Sequence, residues 1–449
     1  MIDKRTAVRH DTPQTFDSIV IVKMKVANAN RPDVARKATV KEKYDTAVFE
    51  RFTLSNGIAV YVQRSPILPD ERYQVSACLL HTGSCADPPD AAGTMHFFEH
   101  IPFRGTEHYP STAAIHKPIT SEAGMIGGKT SVQVTKFFVT GAKSQLNTAL
   151  PILADVVAAP RILEKHVIRE RGVIAQEHRE VMSQRKYVFD YHFRRWFFSG
   201  HPYGHGPIGE LRVIESMTVE QLRRAHQTYY HAGNLALICT GDLPADAELI
   251  AVAEANFGNL PRRAAYQVPA PTLPAQREGE TADPVFGVDS LTLLFPLPNL
   301  TPRAAMVWIC LAVCLNSHLE QLLRRSGLIY ESRLAILNRD QQQPTFEVLV
   351  PTQRHHFGEI QKALTEVLGK LTATHWENAR QIIQRKLPLC FLHPIEAEEL
   401  ALDDLLRGQA PVSIRQKEAL RDALTWEELD ACRNQLLSTE PYIFRAIAG

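Results

Sequence analysis

Two histidines and a glutamate stand close together in the segment His96-Phe97-Phe98-Glu99-His100. On a helix, the two histidines lie one turn apart and project from the same face, with the glutamate at the edge of that face. Neutral imidazoles at this spacing can bind zinc, and a neighbouring carboxylate can accept a proton from metal-bound water. The motif therefore predicts a hydrolytic metal centre. The alternative is a surface helix with solvated histidines, in which the phenylalanines form the buried side.

A zinc site that hydrolyses peptides needs a third protein ligand and an open coordination position. The predicted helix 164–183 contains two suitable glutamates, because Glu170 and Glu177 lie two helical turns apart on one face. Helices rich in glutamate are often simply solvated, and the spacing alone leaves that alternative open.

The His-x-x-Glu-His motif followed by a distant glutamate closely resembles the pitrilysin-type zinc metallopeptidases, the inverzincins, and among them the mitochondrial processing peptidase-like subfamily. The resemblance implies that His96, His100 and Glu177 hold zinc. It further implies that Glu99 is the catalytic base and that Glu170 is a supporting acid in catalysis.

The resemblance is strongest over residues 50–245 and fainter beyond them. Within that range the shared landmarks occur in the family's order: Ser55-Asn56-Gly57, Gly83-Ser84, His201-Pro202-Tyr203-Gly204 and Asn234. We therefore expect the first half of the chain to carry the metal chemistry.

The candidate substrate-binding residues depart from the family pattern. Gly127 and Gly128 stand where the family has an Asn-Ala pair on an edge strand that binds substrate. Tyr330 matches the family's substrate-holding tyrosine, but the arginine position is Leu323, and Arg324 comes one place later, about 100° away on a helix. Gly127, Gly128, Arg324 and Tyr330 remain our candidates for substrate contact.

The resemblance implies a zinc metalloendopeptidase subunit that hydrolyses unfolded peptides inside a dimeric chamber. The partner would be a second family subunit or another copy of the chain. Two alternatives stay open: a non-catalytic structural or assembly subunit, and a dedicated maturase of one biosynthetic precursor peptide. The retained zinc-binding residues argue against the non-catalytic subunit.

The hydrophobic pattern predicts an α+β fold in two successive halves. We expect an N-terminal extension at 1–46, a zinc-bearing domain at 47–243, a proline-rich linker region at 244–284 and a second domain at 285–449. The resemblance implies that each half is an α/β roll, an antiparallel-rich sheet packed with helices, and that the two form half of a clamshell.

The same pattern predicts individual elements, including a hairpin around Asn56-Gly57. The predicted helices span 93–100, 146–158, 164–183, 219–230, 302–324, 361–371, 376–387 and 426–437. Further strands are predicted at 73–80, 131–140, 235–240, 289–295, 328–337 and 346–350. Pro102 should end or bend the first of these helices early, because it cannot donate a backbone hydrogen bond to the carbonyl of Phe98.

The composition excludes several other classes of protein. The 449 residues hold 50 Lys+Arg and 49 Asp+Glu, so the net charge of +1 gives no reason to expect a nucleic-acid partner. The seven cysteines form no Cys-x-x-Cys pair and are expected to be reduced. We find no run of eighteen apolar residues, so we expect no membrane span and take the cytoplasm as the default location.

Overall fold

The computed structural model describes residues 48–64, 72–298, 300–329, 335–338, 343–386 and 394–449. These residues form two sheets, each covered by helices, which confirms the predicted α+β class with two similar halves.

The first sheet has six strands in the order β1-β2-β6-β3-β5-β4. The strands are β1 (Glu50–Thr53), β2 (Ala59–Arg64), β3 (Arg72–Leu80), β4 (Met125–Thr130), β5 (Val134–Ala142) and β6 (Leu235–Gly241). β2 and β6 pair in parallel and the other neighbours are antiparallel. β4 is therefore an edge strand, as the family resemblance implied for the segment that contains Gly127 and Gly128.

Among the described residues, eight α-helices belong to the first half. They are α1 (Thr94–His100), α2 (Thr112–Thr120), α3 (Leu146–Ala158), α4 (Glu164–Val181), α5 (Arg185–Phe197), α6 (Leu211–Ser216), α7 (Val219–Tyr229) and α8 (Asp246–Phe257). The core between sheet and helices includes Phe97 and Phe98 of α1 together with Phe137 of β5. The apolar residues of the motif thus anchor α1 and leave its histidines on another face.

Local sequence signals define both ends of α1. Gly93, with a φ of 103°, precedes the helix. The Asp87 carboxylate accepts backbone hydrogen bonds from Gly93 N at 2.6 Å and Met95 N at 2.7 Å, satisfying donors that the first turn leaves free. The helix ends at His100 and Pro102 starts a short 3₁₀ turn, which confirms the predicted early end.

The second sheet has the order β7-β11-β8-β10-β9. Its strands are β7 (Glu278–Asp283), β8 (Ser290–Pro296), β9 (Ala335–Asn338), β10 (Thr345–Pro351) and β11 (Tyr442–Ala448). The accompanying helices are α9 (Pro302–Arg325), α10 (Phe357–Lys370), α11 (Ala373–Lys386), α12 (Pro394–Leu406), α13 (Ile414–Asp422) and α14 (Trp426–Ser438). The apolar face of α9 fills the centre of this half, where Cys310, Leu311 and Leu315 are fully buried.

α9 is also long and apolar enough to cross a membrane by length and composition, but 61% of its most apolar window is buried inside the protein. It is the helix that meets this test among the described residues. That burial is typical of the core helix of a folded domain.

Two helices pack across the boundary between the halves. Phe193 of α5 packs against Phe444 of the second sheet, and Phe197 packs against Tyr442 of the same strand. In return, Ala401 and Leu402 of α12 pack on the face of the first sheet opposite to α1. Each sheet is therefore covered on one face by a helix from the other half.

Most predicted elements are present, and the differences have local causes. The predicted linker region 244–284 contains α8 and β7, which its prolines and mixed polarity concealed. The sequence analysis also missed strand β11 and five helices: α2, α5, α6, α12 and α13. Of the predicted strand 328–337, the described part of β9 covers 335–337, while 330–334 lie outside the described residues.

Candidate metal centre

Helices α1 and α4 bring the three predicted ligands together. One ligand atom from each of His96, His100 and Glu177 lies within 4.8 Å of the others. The Glu177 carboxylate is 3.7 Å from His96 Nε2 and 3.5 Å from His100 Nε2, and the two imidazole rings meet edge to face. Helix packing therefore joins residues that are far apart in sequence.

The donor atoms of this cluster suit zinc. Ligands about 2.0–2.1 Å from a tetrahedral zinc ion lie about 3.3 Å from one another, close to the two measured nitrogen to oxygen separations. Burial lowers the pKa of His96 to about 4, against the opposing effect of Glu177, so this imidazole is neutral at neutral pH, as a metal ligand must be. Two imidazoles and one carboxylate leave a fourth position open for water or substrate.

Glu170 lies behind His100, on the side away from the ligand cluster. Its carboxylate contacts His100 Nδ1 at 3.3 Å and accepts a hydrogen bond from Arg104. Burial alone would raise the pKa of Glu170, but these two partners hold it below its ordinary value. Glu170 can therefore orient the ring of His100, as carboxylates commonly do for metal-binding histidines.

The two histidines differ in whether a carboxylate contacts the Nδ1 atom of the ring. The Nδ1 atom of His96 is buried and has no hydrogen-bond partner among the described residues. For His100, burial acts to lower the pKa, but the Glu170 hydrogen bond and the nearby Glu99 and Glu177 carboxylates raise it overall. A carboxylate supports only one of the two predicted histidine ligands.

Glu99 is in the last turn of α1, and its side chain faces the edge strand β4. The residue is 8% exposed. The Thr130 hydroxyl donates a hydrogen bond to Glu99 Oε2 at 2.8 Å. Burial raises the pKa of Glu99 to about 7, against the opposing effects of His100 and Thr130. A carboxyl group with such a pKa can both accept and release a proton near neutral pH.

Gly128 provides the space that Glu99 occupies. A Cβ atom at Gly128 would lie 2.8 Å from Glu99 Oε1 and 2.7 Å from its Cγ, closer than side chains normally approach. A Cβ atom at Gly127, on the opposite face of β4, would lie 2.8 Å from the Phe138 ring. Close packing therefore explains why both positions are glycine, independently of the substrate contact predicted for them.

The substrate-binding candidates of the second half are Arg324 and Tyr330. Arg324 is in the last turn of α9, where it pairs with Glu320 at 2.7 Å. Leu323, at the family's arginine position, is fully buried in the core of the second half. Tyr330 lies outside the described residues, so its role stays a prediction.

Sequence reasoning missed Thr130, Arg104 and Asp87 as parts of the site. Arg104 and Asp87 lie within a few residues of the motif but give no signal of their own. Thr130 could have been found from strand alternation, because it follows Gly128 by two residues and therefore shares its face.

Two models of protein families match this chain. Residues 69–206, which include the whole ligand cluster, match "Insulinase (Peptidase family M16)". Residues 216–383 match "Peptidase M16 inactive domain". The chain belongs to peptidase family M16. The recognition of a pitrilysin-type peptidase is thereby confirmed.

Curated relatives of this M16 chain include peptidases and peptidase subunits. The probable mitochondrial-processing peptidase subunit beta of Schizosaccharomyces pombe is 29% identical over 214 residues, covering 47% of this chain and 45% of the relative. The zinc protease PqqE of Helicobacter pylori is 24% identical over 237 residues, 52% of either protein. The aligned region thus spans about half the length of these relatives.

A solved protease structure supports the fold over 89% of the chain. The crystal structure of a protease from Helicobacter pylori has a TM-score of 0.76 at 18% identity, covering 89% of this chain and 99% of that one. The two-sheet arrangement is therefore shared with a protein of similar extent.

Proposed function

We propose that the chain is a zinc-dependent endopeptidase subunit in which His96, His100 and Glu177 hold the metal. The observation that carries this proposal is the convergence of these side chains from two separate helices to within 4.8 Å of one another. When bound, zinc would polarise the scissile carbonyl group and lower the pKa of a water molecule to about 7.

The residues of the chain supply the proton transfers and the orientation. Glu99 accepts the proton from the attacking water and later donates it to the leaving amine. Thr130 holds one oxygen of this carboxyl group, while Gly128 leaves space for the other. Glu170 keeps the His100 ring in the orientation in which Nε2 faces Glu177.

The substrate proposed is an unfolded peptide that adds a strand to the outer edge of β4. Such main-chain pairing requires an extended segment and is tolerant of side-chain sequence. The support for this proposal is the position of β4 at the edge of the sheet, directly beside Glu99. Gly127 and Gly128 would present their backbone groups to the peptide.

We further propose that two such chains, or this chain and a second family subunit, enclose the substrate in a chamber. The support is that the Schizosaccharomyces pombe relative is named as a subunit. The core position of Leu323 favours a mixed pair in which the partner contributes the missing arginine.

The proposal is tested by measuring zinc content and peptide cleavage on the same preparations. Wild-type protein should hold about one zinc per chain and cleave an internally quenched, unstructured peptide. Glu177→Gln should lose the zinc, whereas Glu180→Gln, on the exposed side of α4, should retain zinc and activity. A wild-type protein that neither binds zinc nor cleaves peptides, alone or with a family partner, would overturn it.

A further inference from the structure

Two lysines face each other across the edge of the first sheet. Lys129 of β4 and Lys136 of β5 are direct partners in the antiparallel register. Like charges at such a position destabilise strand pairing. Among the described strands β4 pairs with β5 alone, so this lysine pair weakens the attachment of the edge strand unless other groups compensate the charge.

The compensation comes from the second half of the molecule. Glu398 of α12 is fully buried and contacts Lys136 Nζ with both carboxylate oxygens, at 2.9 and 2.7 Å. The next residue, Glu399, lies 3.7 Å from Lys129 Nζ. We call Glu398 and Glu399 the glutamate pair, since consecutive residues of one helix face the two lysines.

The attachment of Glu398 extends to a second strand. Its carboxylate also accepts a hydrogen bond from Gln74 Nε2 of β3 at 2.6 Å. Ala401 and Leu402, further along α12, pack on the same face of the sheet. α12 is therefore fixed to the centre of the sheet and can serve as a firm support for its edge.

Strand alternation connects this support to the candidate metal centre. Successive side chains of a strand point to opposite faces, so Lys129 faces α12 while its neighbours Gly128 and Thr130 face α1. Both neighbours limit the position of the Glu99 side chain. Thr130 donates a 2.8 Å hydrogen bond to it, and Gly128 leaves the space that it occupies. A displacement of β4 away from α12 would therefore change both the hydrogen bond from Thr130 and the space at Gly128.

We propose that the glutamate pair of α12 fixes the edge strand β4 through the lysine pair and thereby positions Glu99 from the other half of the molecule. The positioning of a catalytic base rests on the proposed peptidase function. The support of β4 does not depend on that function and can be measured without it. Glu398 and Glu399 are positioning residues, since neither lies in the ligand cluster.

The test combines amide hydrogen exchange with kinetics on the full chain. Glu399→Lys is the main variant, because its side chain is partly exposed and the substitution should permit folding. We expect exchange in the peptide covering β4 to rise about tenfold, with exchange in β2 unchanged. The kcat for an unstructured peptide should fall about tenfold with zinc content unchanged, and KM should rise because the proposed peptide-binding edge is the same strand.

Two further variants separate support of the strand from a general change of charge. Glu366→Lys makes the same charge change at an exposed residue of α10 that pairs with Lys370, and should leave β4 exchange and kcat as in wild type. Adding Lys129→Glu to Glu399→Lys restores opposite charges, so β4 exchange should return to within about twofold of wild type.

The outcomes distinguish this proposal from the peptidase proposal. Unchanged β4 exchange in Glu399→Lys, or raised exchange with an unchanged kcat, would overturn the positioning role. A different outcome is that Glu399→Lys raises β4 exchange and Lys129→Glu reverses it, while the wild-type protein cleaves no peptide. That result would confirm that the glutamate pair holds β4 and would contradict the peptidase function.

Discussion

The two halves of the molecule share one sheet plan but fill it with different chemistry. The order β2-β6-β3-β5-β4 corresponds strand for strand to β7-β11-β8-β10-β9, and the first pair of each series is parallel. The helix that follows the third strand of each series is α1 in the first half and α9 in the second. The same position therefore carries the His-x-x-Glu-His motif in one half and an apolar core helix in the other.

This difference shows which part of the shared fold is only scaffold and which part forms the candidate site. Cys310, Leu311 and Leu315 of α9 are fully buried among apolar residues. His96 and Glu99 of α1 keep 8% exposure and form polar contacts with α4 and β4. The fold requires only a helix that covers the sheet, and the chemistry depends on which residues that helix turns toward its neighbours.

The largest effect should come from Glu99→Gln in the first half. The amide cannot accept a proton, so we expect kcat to fall about a thousandfold or more, while zinc content stays at the wild-type level. Steady-state cleavage of an unstructured peptide and metal analysis of the same sample measure both quantities. Cleavage at the wild-type rate would show that another residue is the base.

A smaller effect is expected for Glu170→Gln, which alters the support of only one histidine. Loss of this carboxylate should weaken zinc affinity about 10- to 100-fold, as for other groups that orient a metal-binding histidine. Competition with a chelator of known affinity measures the change. Unaltered affinity would mean that packing alone orients His100 and that the asymmetry between the histidines has no consequence.

A still smaller effect should follow Gly128→Ala. The added methyl group would lie 2.8 Å from Glu99 Oε1 and force the flexible end of that side chain to move. We expect kcat to fall several-fold, by less than about tenfold, without a change in zinc content. Gly358→Ala serves as control, since a Cβ atom at this glycine in α10 meets open space. Equal kinetics of the two variants would contradict the role assigned to Gly128.

The smallest effect on catalysis should come from the core of the second half. Leu311→Ala leaves a cavity under the second sheet and should cost about 2–5 kcal/mol of unfolding free energy. At a temperature well below unfolding, kcat should stay within about twofold of wild type, because Leu311 contributes only to the apolar core. Denaturant unfolding and kinetics measure the two quantities. A large fall in kcat in fully folded protein would show that α9 contributes to catalysis.

How much the sequence predicts differs between local and long-range features. The spacing of His96 and His100 predicts a shared helix face, and the family resemblance points to Glu177. Most helices with regular apolar spacing were also predictable, as were strands such as β6. These features depend on local periodicity or on a short motif.

The side-chain contacts that escaped prediction join distant segments of the chain. Thr130 reaches Glu99 only because β4 lies beside α1. The pairing of Lys136 with Glu398 joins residues from the two halves, and no local pattern marks either of them as a partner. Helix α8 and strand β7 lie in a segment whose prolines and mixed polarity indicate a linker.

The zinc K-edge absorption spectrum of the zinc-loaded protein shows whether His96, His100 and Glu177 hold the metal. We expect about one zinc per chain, with imidazole nitrogen and carboxylate oxygen ligands at about 2.0–2.2 Å, and loss of the bound zinc in the double variant His96→Ala/His100→Ala. A shell of sulfur ligands at about 2.3 Å, or an unchanged spectrum in that variant, would contradict it.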